Sequence, residues 1–263
     1  MNMNIKRMLK IIITLSLLLF FLLFSFTQAN SKDLVASIAQ LPGLADTPDK
    51  GAFIDLVKAI DDVYTEGSIK IELYPMARSI NNVIEGKKDF HIPMLKSSVI
   101  KDKSTLPYHI VTEKMGVVSI VIYSSVDKKL TRKMLDKAAK EGNFPYKIES
   151  AGGMENLFPF PISATQGLDQ SLKKVSSKRI DALLWAQEEG DMIVKNLKLG
   201  DIYRSPYEDI DDVIISTKNS SGEEVDKILS AAIKKLKRSG RLKDLYLKIH
   251  VPYKEWQPSK MSW

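Results

Sequence analysis

Residues 51–90 read GAFIDLVKAIDDVYTEGSIKIELYPMARSINNVIEGKKDF. Phe53, Leu56, Val57, Ile60, Val63 and Tyr64 recur at helical spacing, which predicts an amphipathic helix from Gly51 to about Glu66, ended by Gly67. Ile69, Ile71 and Leu73 then alternate with Lys70, Glu72 and Tyr74, a strand pattern. Pro75 stops that strand and suits the first turn of a second helix, which carries Ile80, Val83 and Ile84 and stops at Gly86. A further strand begins at Asp89. Helix, strand, helix, strand in this rhythm predicts an α/β unit on a largely parallel sheet.

Working outward, Leu34–Leu41 reads as a preceding strand, and 42–50 as a loop. Strands are expected at Val117–Tyr123, Tyr146–Ser150, Ile180–Trp185 and Asp212–Thr217, with a short extended piece at Ile202–Ser205. Helices are expected at Leu130–Gly142, around Leu168, Leu172 and Val175, at Gln187–Leu197, Ser221–Ser239 and Leu242–Ile249. Met154–Ser163, with two phenylalanines and two prolines, has no clear assignment, and 251–263 reads as a tail. One internal echo stands out. Val83-Ile-Glu-Gly-Lys-Lys-Asp89 and Val175-Ser-Ser-Lys-Arg-Ile-Asp181 are each a helix end, a basic turn and an Asp before a strand. The echo predicts two lobes of similar build; the alternative is that any two helix-to-strand turns look alike.

Gly51-x-Phe53-x-Asp55-Leu56, Pro75-x-x-Arg78 and Gly86-Lys87-x-Asp89 occur in an order and spacing that resemble the bacterial extracellular solute-binding proteins of family 3. These are the amino-acid-type receptors of ABC importers. The resemblance runs from about Leu34 to Trp256. It implies an α/β, two-lobed periplasmic-binding-protein type II fold, each lobe a mixed sheet flanked by helices, joined by a two-strand hinge. The implied division is a leader at 1–29, lobe one at 30–115, lobe two at 116–206 and a return to lobe one at 207–263, with its helices packing on that lobe. The implied function is capture of a small polar metabolite, an amino acid or a related compound, by a monomer in the periplasm, with transfer to an ABC permease of the inner membrane. The alternative is a sensing module of the same fold that reports to a separate membrane partner.

Composition sets outer limits. The formal charge of +7 falls to +4 (36 basic against 32 acidic side chains) once Lys6, Arg7 and Lys10 are set aside with the leader. The basic residues are spread out, with no dense basic block interleaved with aromatics, which argues against nucleic-acid binding. There is no cysteine, so disulfides, thiolate catalysis and a lipidated leader cysteine are excluded. Met1–Ala29 has the three parts of a secretory signal: a basic start, an apolar run from Ile11 to Phe26, and Thr27-Gln28-Ala29 as an imperfect cleavage site. Read instead as an uncleaved anchor, that run as a helix spans only ~24 Å at ~1.5 Å per residue, short of a ~30 Å hydrocarbon core.

The chain offers little catalytic chemistry, so an enzyme is not expected. His91, His109 and His250 lack metal-ligand spacing and read as surface or structural residues. No nucleophile elbow, phosphate-binding loop or dinucleotide fingerprint is present, and no cofactor or metal is implied. The acidic pairs Glu188-Glu189 and Glu208 to Asp212 read as solvated faces or loops.

In open α/β sheets ligands bind beyond the carboxyl ends of strands. Three stretches qualify. Tyr74 and Arg78 follow one strand, and a guanidinium at a helix start is placed to take a carboxylate; the alternative is an exposed arginine paired with a helix-face acid. Ser150 and Gly152 follow another, where glycine admits close approach to the backbone; the alternative is a plain turn. Trp185, Gln187 and Glu188 follow a third: the indole is placed to stack on a ligand and the polar pair to bond an amine. The alternative there is a core tryptophan and a solvated first helical turn. The resemblance also exposes departures. Amino-acid receptors carry Thr-x-x-Arg after the first lobe's Asp, whereas this chain has Lys96-Ser-Ser-Val-Ile-Lys101-Asp-Lys103. The acid that holds the α-amine in the second lobe is replaced by Ala186.

Overall fold

The structure is a computed structural model that describes residues 32–260 except 97–98, 100–101 and 155–156; the leader expected at Met1–Ala29 lies outside the described residues. The described residues from Asp33 onward form one compact unit. Its elements are β1 (Leu34–Ala39), α1 (Ala52–Val63), β2 (Ile69–Tyr74), α2 (Met76–Ile84), β3 (Phe90–Lys96), β4 (Tyr108–Ile110), β5 (Gly116–Ser125), α3 (Arg132–Lys140), β6 (Ile148–Ser150), β7 (Ser163–Ala164), α4 (Leu168–Ser176), β8 (Ala182–Ala186), α5 (Gln187–Asn196), β9 (Ile202–Thr217), α6 (Ser220–Arg238) and α7 (Arg241–Tyr246). The strands run in the order β2-β1-β3-β9-β5-β8-β6-β7, with β4 added to β9. The outer strands on each side are parallel, and the central pairs are antiparallel. This is an α/β fold with a mixed sheet and flanking helices.

The opening stretch behaves as its periodicity dictates. Phe53, Ile54, Leu56, Val57, Ala59 and Ile60 form the buried face of α1, and each large one contributes about 1.5–3 kcal/mol by leaving water. The helix begins at Gly51 because the chain there has φ +140, and a Cβ would lie 2.3 Å from the Leu44 carbonyl oxygen. Asp61, on the polar face of α1, accepts a 2.7 Å hydrogen bond from the Ile69 amide and sets the start of β2. Leu229, Ile233, Leu236, Leu242 and Tyr246 of the C-terminal helices share a core with Phe53, Leu56 and Ile60. A second core gathers Ile122, Leu135, Leu184 and the two phenylalanines Phe158 and Phe160, and runs across the central strands to Ile80, Met94 and Ile215.

The two echoed turns are built alike. Asp89 accepts from the Val35 amide at 2.7 Å, and Asp181 accepts from the Lys147 amide at 2.8 Å. In each case the Asp amide donates back to the same residue's carbonyl, which ties the turn to the start of the neighbouring parallel strand. Gly86 (φ 70) and Lys178 (φ 60) hold the same left-handed position in the two turns.

One expectation is corrected. The extended piece after Ile202 and the strand at Asp212–Thr217 are a single 16-residue strand, β9. The acidic run between them is not a loop: Asp209 and Asp211 are held at the sheet surface, and Asp212 is buried. Ser119 donates to Asp209 at 2.7 Å, and Lys114 lies 2.6 Å from Asp211. Pro206 is tolerated in this central strand because the register with β5 slips by one residue there, where the partners change from Ile120↔Glu208 to Val121↔Pro206. Strand β9 pairs with β5 along Ile202–Asp212 and with β3 along Asp211–Ser216. The hand-over between the two halves of the sheet therefore falls at Asp211 and Asp212.

Candidate functional site

A cavity of about 540 Å³ opens at that hand-over, within the ~300–1,000 Å³ of small-molecule pockets. It lies at the carboxyl ends of the parallel strands. Gln40, Leu41 and Pro42 follow β1, Met76 follows β2, Ser150 ends β6 with Ala151 and Gly152 after it, and Trp185 and Ala186 end β8. Val118 and Ile120 of β5, Leu95 of β3, Phe53 of α1 and Phe158 complete a mainly apolar wall. The polar exceptions include Thr165, Gln166, Asp169, Glu189, Asp212 and His250.

Asp212 is the central one. Its side chain is fully buried, its Oδ1 has no hydrogen-bond partner, and its Oδ2 accepts from the Tyr246 hydroxyl at 3.1 Å. Burial pushes its carboxyl up to about 7 from an ordinary 3.8, against the lowering pull of His250 and Tyr246. Gly116, the backbone neighbour of Asp212 across the β5–β9 ladder, makes this contact possible. A Cβ at Gly116 would sit 2.0 Å from the Tyr246 ring.

Glu189 is partly buried and accepts from the Trp185 indole at 2.5 Å; burial raises its carboxyl above the ordinary value. His250 is buried and packs edge-on against Phe53 at 6.1 Å. Burial opposes its charge, but its 3.1 Å contact with Glu188 and the nearby Asp212 and Glu189 raise it above its ordinary value.

The residues nominated from sequence divide into three sets. Ser150, Gly152 and Trp185 line the cavity. Gln187 and Glu188 stand behind its wall, engaged by the C-terminal segment. Gln187 donates to the Val251 carbonyl at 2.8 Å and accepts from Arg204 at 2.8 Å, and Glu188 accepts from the Val251 amide at 2.8 Å. Tyr74 and Arg78 line a separate surface pocket with Asn81, Asn82, Glu85, Lys87 and Lys88. On α2 it is Met76 that faces the cavity; two residues further on, the helix has turned by roughly 200° and Arg78 points elsewhere.

Sequence reasoning missed Asp212, Glu189 and His250. Signals for the two carboxylates were present. Ile210, Asp212 and Ile214 alternate along a strand, which places the carboxylate on an apolar face. Ala186, Glu189, Met192 and Ile193 recur at helical spacing, so the indole-ended strand and one face of α5 share the cavity.

No protein-family model matches the chain, and no curated protein matches it. Solved structures do. A histidine kinase sensor domain with similarity to periplasmic binding proteins is 14% identical, with a TM-score of 0.65 over 84% of this chain and 97% of that one. A ligand-binding core from Nostoc punctiforme in complex with L-glutamate is 16% identical, with a TM-score of 0.62 over 82% of this chain and 98% of that one. An amino acid ABC transporter substrate-binding protein from Streptococcus pneumoniae bound to L-arginine is 19% identical, with a TM-score of 0.57 over 81% of this chain and 92% of that one. The shared feature is the fold of periplasmic binding proteins.

Proposed function

We propose that this protein is a solute-binding protein that captures a small metabolite between the two halves of its sheet and releases it unchanged. The observation that carries the reading is the cavity itself, lined from both halves at the ends of parallel strands and bordered by the central β5–β9 pair. Residues 30–115 and 207–263 form one lobe in this reading and 116–206 the other, with β5 and β9 as the hinge. A ligand that touches both lobes favours the closed arrangement by its differential affinity. Ser150, Gly152 and Trp185 are proposed contacts. Gln187 and Glu188 are proposed to act through the C-terminal segment they hold, and Tyr74 and Arg78 to serve the separate surface pocket. The protein is proposed to act as a monomer in the periplasm, without a cofactor or nucleic acid, and to deliver its ligand to an ABC permease. The resemblance to family 3 receptors and the likeness to a substrate-binding protein bound to L-arginine support that partner. The likeness to a histidine kinase sensor domain favours a second reading, in which the closed form signals to a separate membrane protein.

A thermal-shift screen of amino acids, amines, small carboxylates and sugars tests capture. A ligand at ~100 times its dissociation constant adds ~2.7 kcal/mol of stability. A saturable hit recovered unchanged supports the proposal; a hit consumed during incubation means turnover instead. Reconstitution with a candidate permease in vesicles then separates import from signalling.

A further inference from the structure

The cavity carries an electrostatic asymmetry. Its described lining residues include three carboxylates, Asp169, Glu189 and Asp212, and no lysine or arginine; the sole basic group among them is His250. Asp169 stands 3.2 Å from Lys173, and His250 is engaged with Glu188 at 3.1 Å. Among the described residues, His250 and Lys173 are thus both engaged with carboxylates. Asp212, by contrast, has a fully buried side chain with an unpartnered oxygen, and the charge of Glu189, which lines the same cavity, raises its carboxyl further. His250 offsets part of the cost of burying this carboxylate, but an unpartnered buried oxygen remains costly, and a ligand cation relieves that cost. The surrounding wall of Leu41, Phe53, Leu95, Ile120, Phe158 and Trp185 offers hydrocarbon and aromatic surface and few polar partners. Among the described residues no group of three acidic or imidazole side chains converges to hold a metal ion, and the apolar wall suits an organic cation.

We propose that the ligand is a small apolar amine lacking a carboxylate, its ammonium paired with Asp212 and Glu189 and its hydrocarbon body against the apolar wall. This deepens the capture reading and rests on it. It separates the protein from receptors that clamp an α-carboxylate, in keeping with the missing Thr-x-x-Arg after the first-lobe Asp. Asp212 lies on β9 itself, whereas Glu189 lies on α5 of the proposed second lobe, so one ammonium bridging them favours closure.

The test is calorimetric titration of the chain from Asn30 onward, which contains the whole compact unit. The probes are phenethylamine and isopentylamine, the amino acids L-phenylalanine and L-leucine, and the neutral phenethyl alcohol. The amines are expected to bind at least ~10-fold more tightly than their amino acids. Asp212→Asn and Glu189→Gln are expected to weaken amine binding by about 10- to 100-fold, the loss of a charge-assisted hydrogen bond, while leaving the alcohol unaffected. Both substitutions keep shape and remove charge, so folding is preserved. An amino acid that binds more tightly than its amine, or amine binding equal in both variants and the wild type, overturns this inference while leaving capture intact. If no probe binds and the broad metabolite screen is also flat, the capture reading falls with it.

Discussion

The Tyr246 hydroxyl donates to Asp212 Oδ2 at 3.1 Å, across 34 residues of sequence, and it reaches there over the bare backbone of Gly116. The last α-helix among the described residues, α7, is thereby tied to the point where β9 passes between the two halves of the sheet.

Gly116→Ala places a methyl group inside the Tyr246 ring, so the ring must move and the Asp212 contact must break. The expected cost is about 1–3 kcal/mol, read as a lower urea midpoint. The same variant is expected to weaken ligand binding, because Asp212 loses its orienting partner. A midpoint equal to that of the wild type would show that the ring swings aside freely.

Asp212 and His91 impose opposite pH dependences. The Asp212 carboxyl is raised to about 7 from 3.8, so its stabilising contribution is full below 3.8 and is lost as pH rises through about 7. His91 is fully buried and lowered to about 4 from 6.5, so its contribution is full above 6.5 and is lost as pH falls through about 4. Between these limits the two offset each other, each on the order of a few kcal/mol. Asp212→Asn leaves His91 alone. The variant is expected to gain stability more steeply from pH 4 to 6.5 than the wild type, measured by chemical denaturation across a pH series. Identical slopes would mean that Asp212 titrates alike in the folded and unfolded chain.

Arg204 is fully buried, with its Nε 2.8 Å from Asp191, its Nη1 donating to the Lys254 carbonyl at 2.8 Å and its guanidinium 4.8 Å from the Tyr253 ring centre. It holds the C-terminal segment against α5. Arg204→Met leaves Asp191 without its counter-charge and is expected to cost ~3–5 kcal/mol. Limited proteolysis is expected to cut near Lys254 in the variant and not in the wild type. Adding Asp191→Asn is expected to recover part of the loss, since the stranded charge is then gone.

Trp185 faces the cavity, while Trp256 lies under the Lys195 ammonium at 4.8 Å, away from it. A ligand is therefore expected to change tryptophan emission, and Trp185→Phe to abolish most of that change while retaining folding. A full signal in the variant would place the ligand elsewhere.

Arg78→Ala alters only the surface pocket it shares with Tyr74 and the residues around Lys88. Affinity for the cavity ligand is expected to stay within about twofold of the wild type, because surface substitutions away from a site rarely exceed ~0.5 kcal/mol. A tenfold loss in titration would move the binding site to that pocket.

The elements were legible because their signals are local. Helical spacing in α1, alternation in β2 and the echoed Asp89 and Asp181 turns each depend on residues within a few positions of one another. The same local logic led to Ser150, Gly152 and Trp185, since the ends of parallel strands converge wherever such a sheet forms. It led to Arg78 for the same reason, and there only the phase of α2 decided that Met76 faces the cavity instead.

By itself, then, the sequence determined an α/β chain of repeated strand–helix units, the places where its strands end, and the absence of cysteine chemistry. Tertiary structure decided which charges are buried. Glu208, Asp209, Asp211 and Asp212 look alike in the sequence, yet only Asp212 is fully buried among them. Its environment comes from Tyr246, His250 and Glu189, which are supplied by two other elements and a segment beyond them. The physical reason is range: periodicity is set by neighbours along the chain, whereas the desolvation of a charge is set by whatever the fold packs around it.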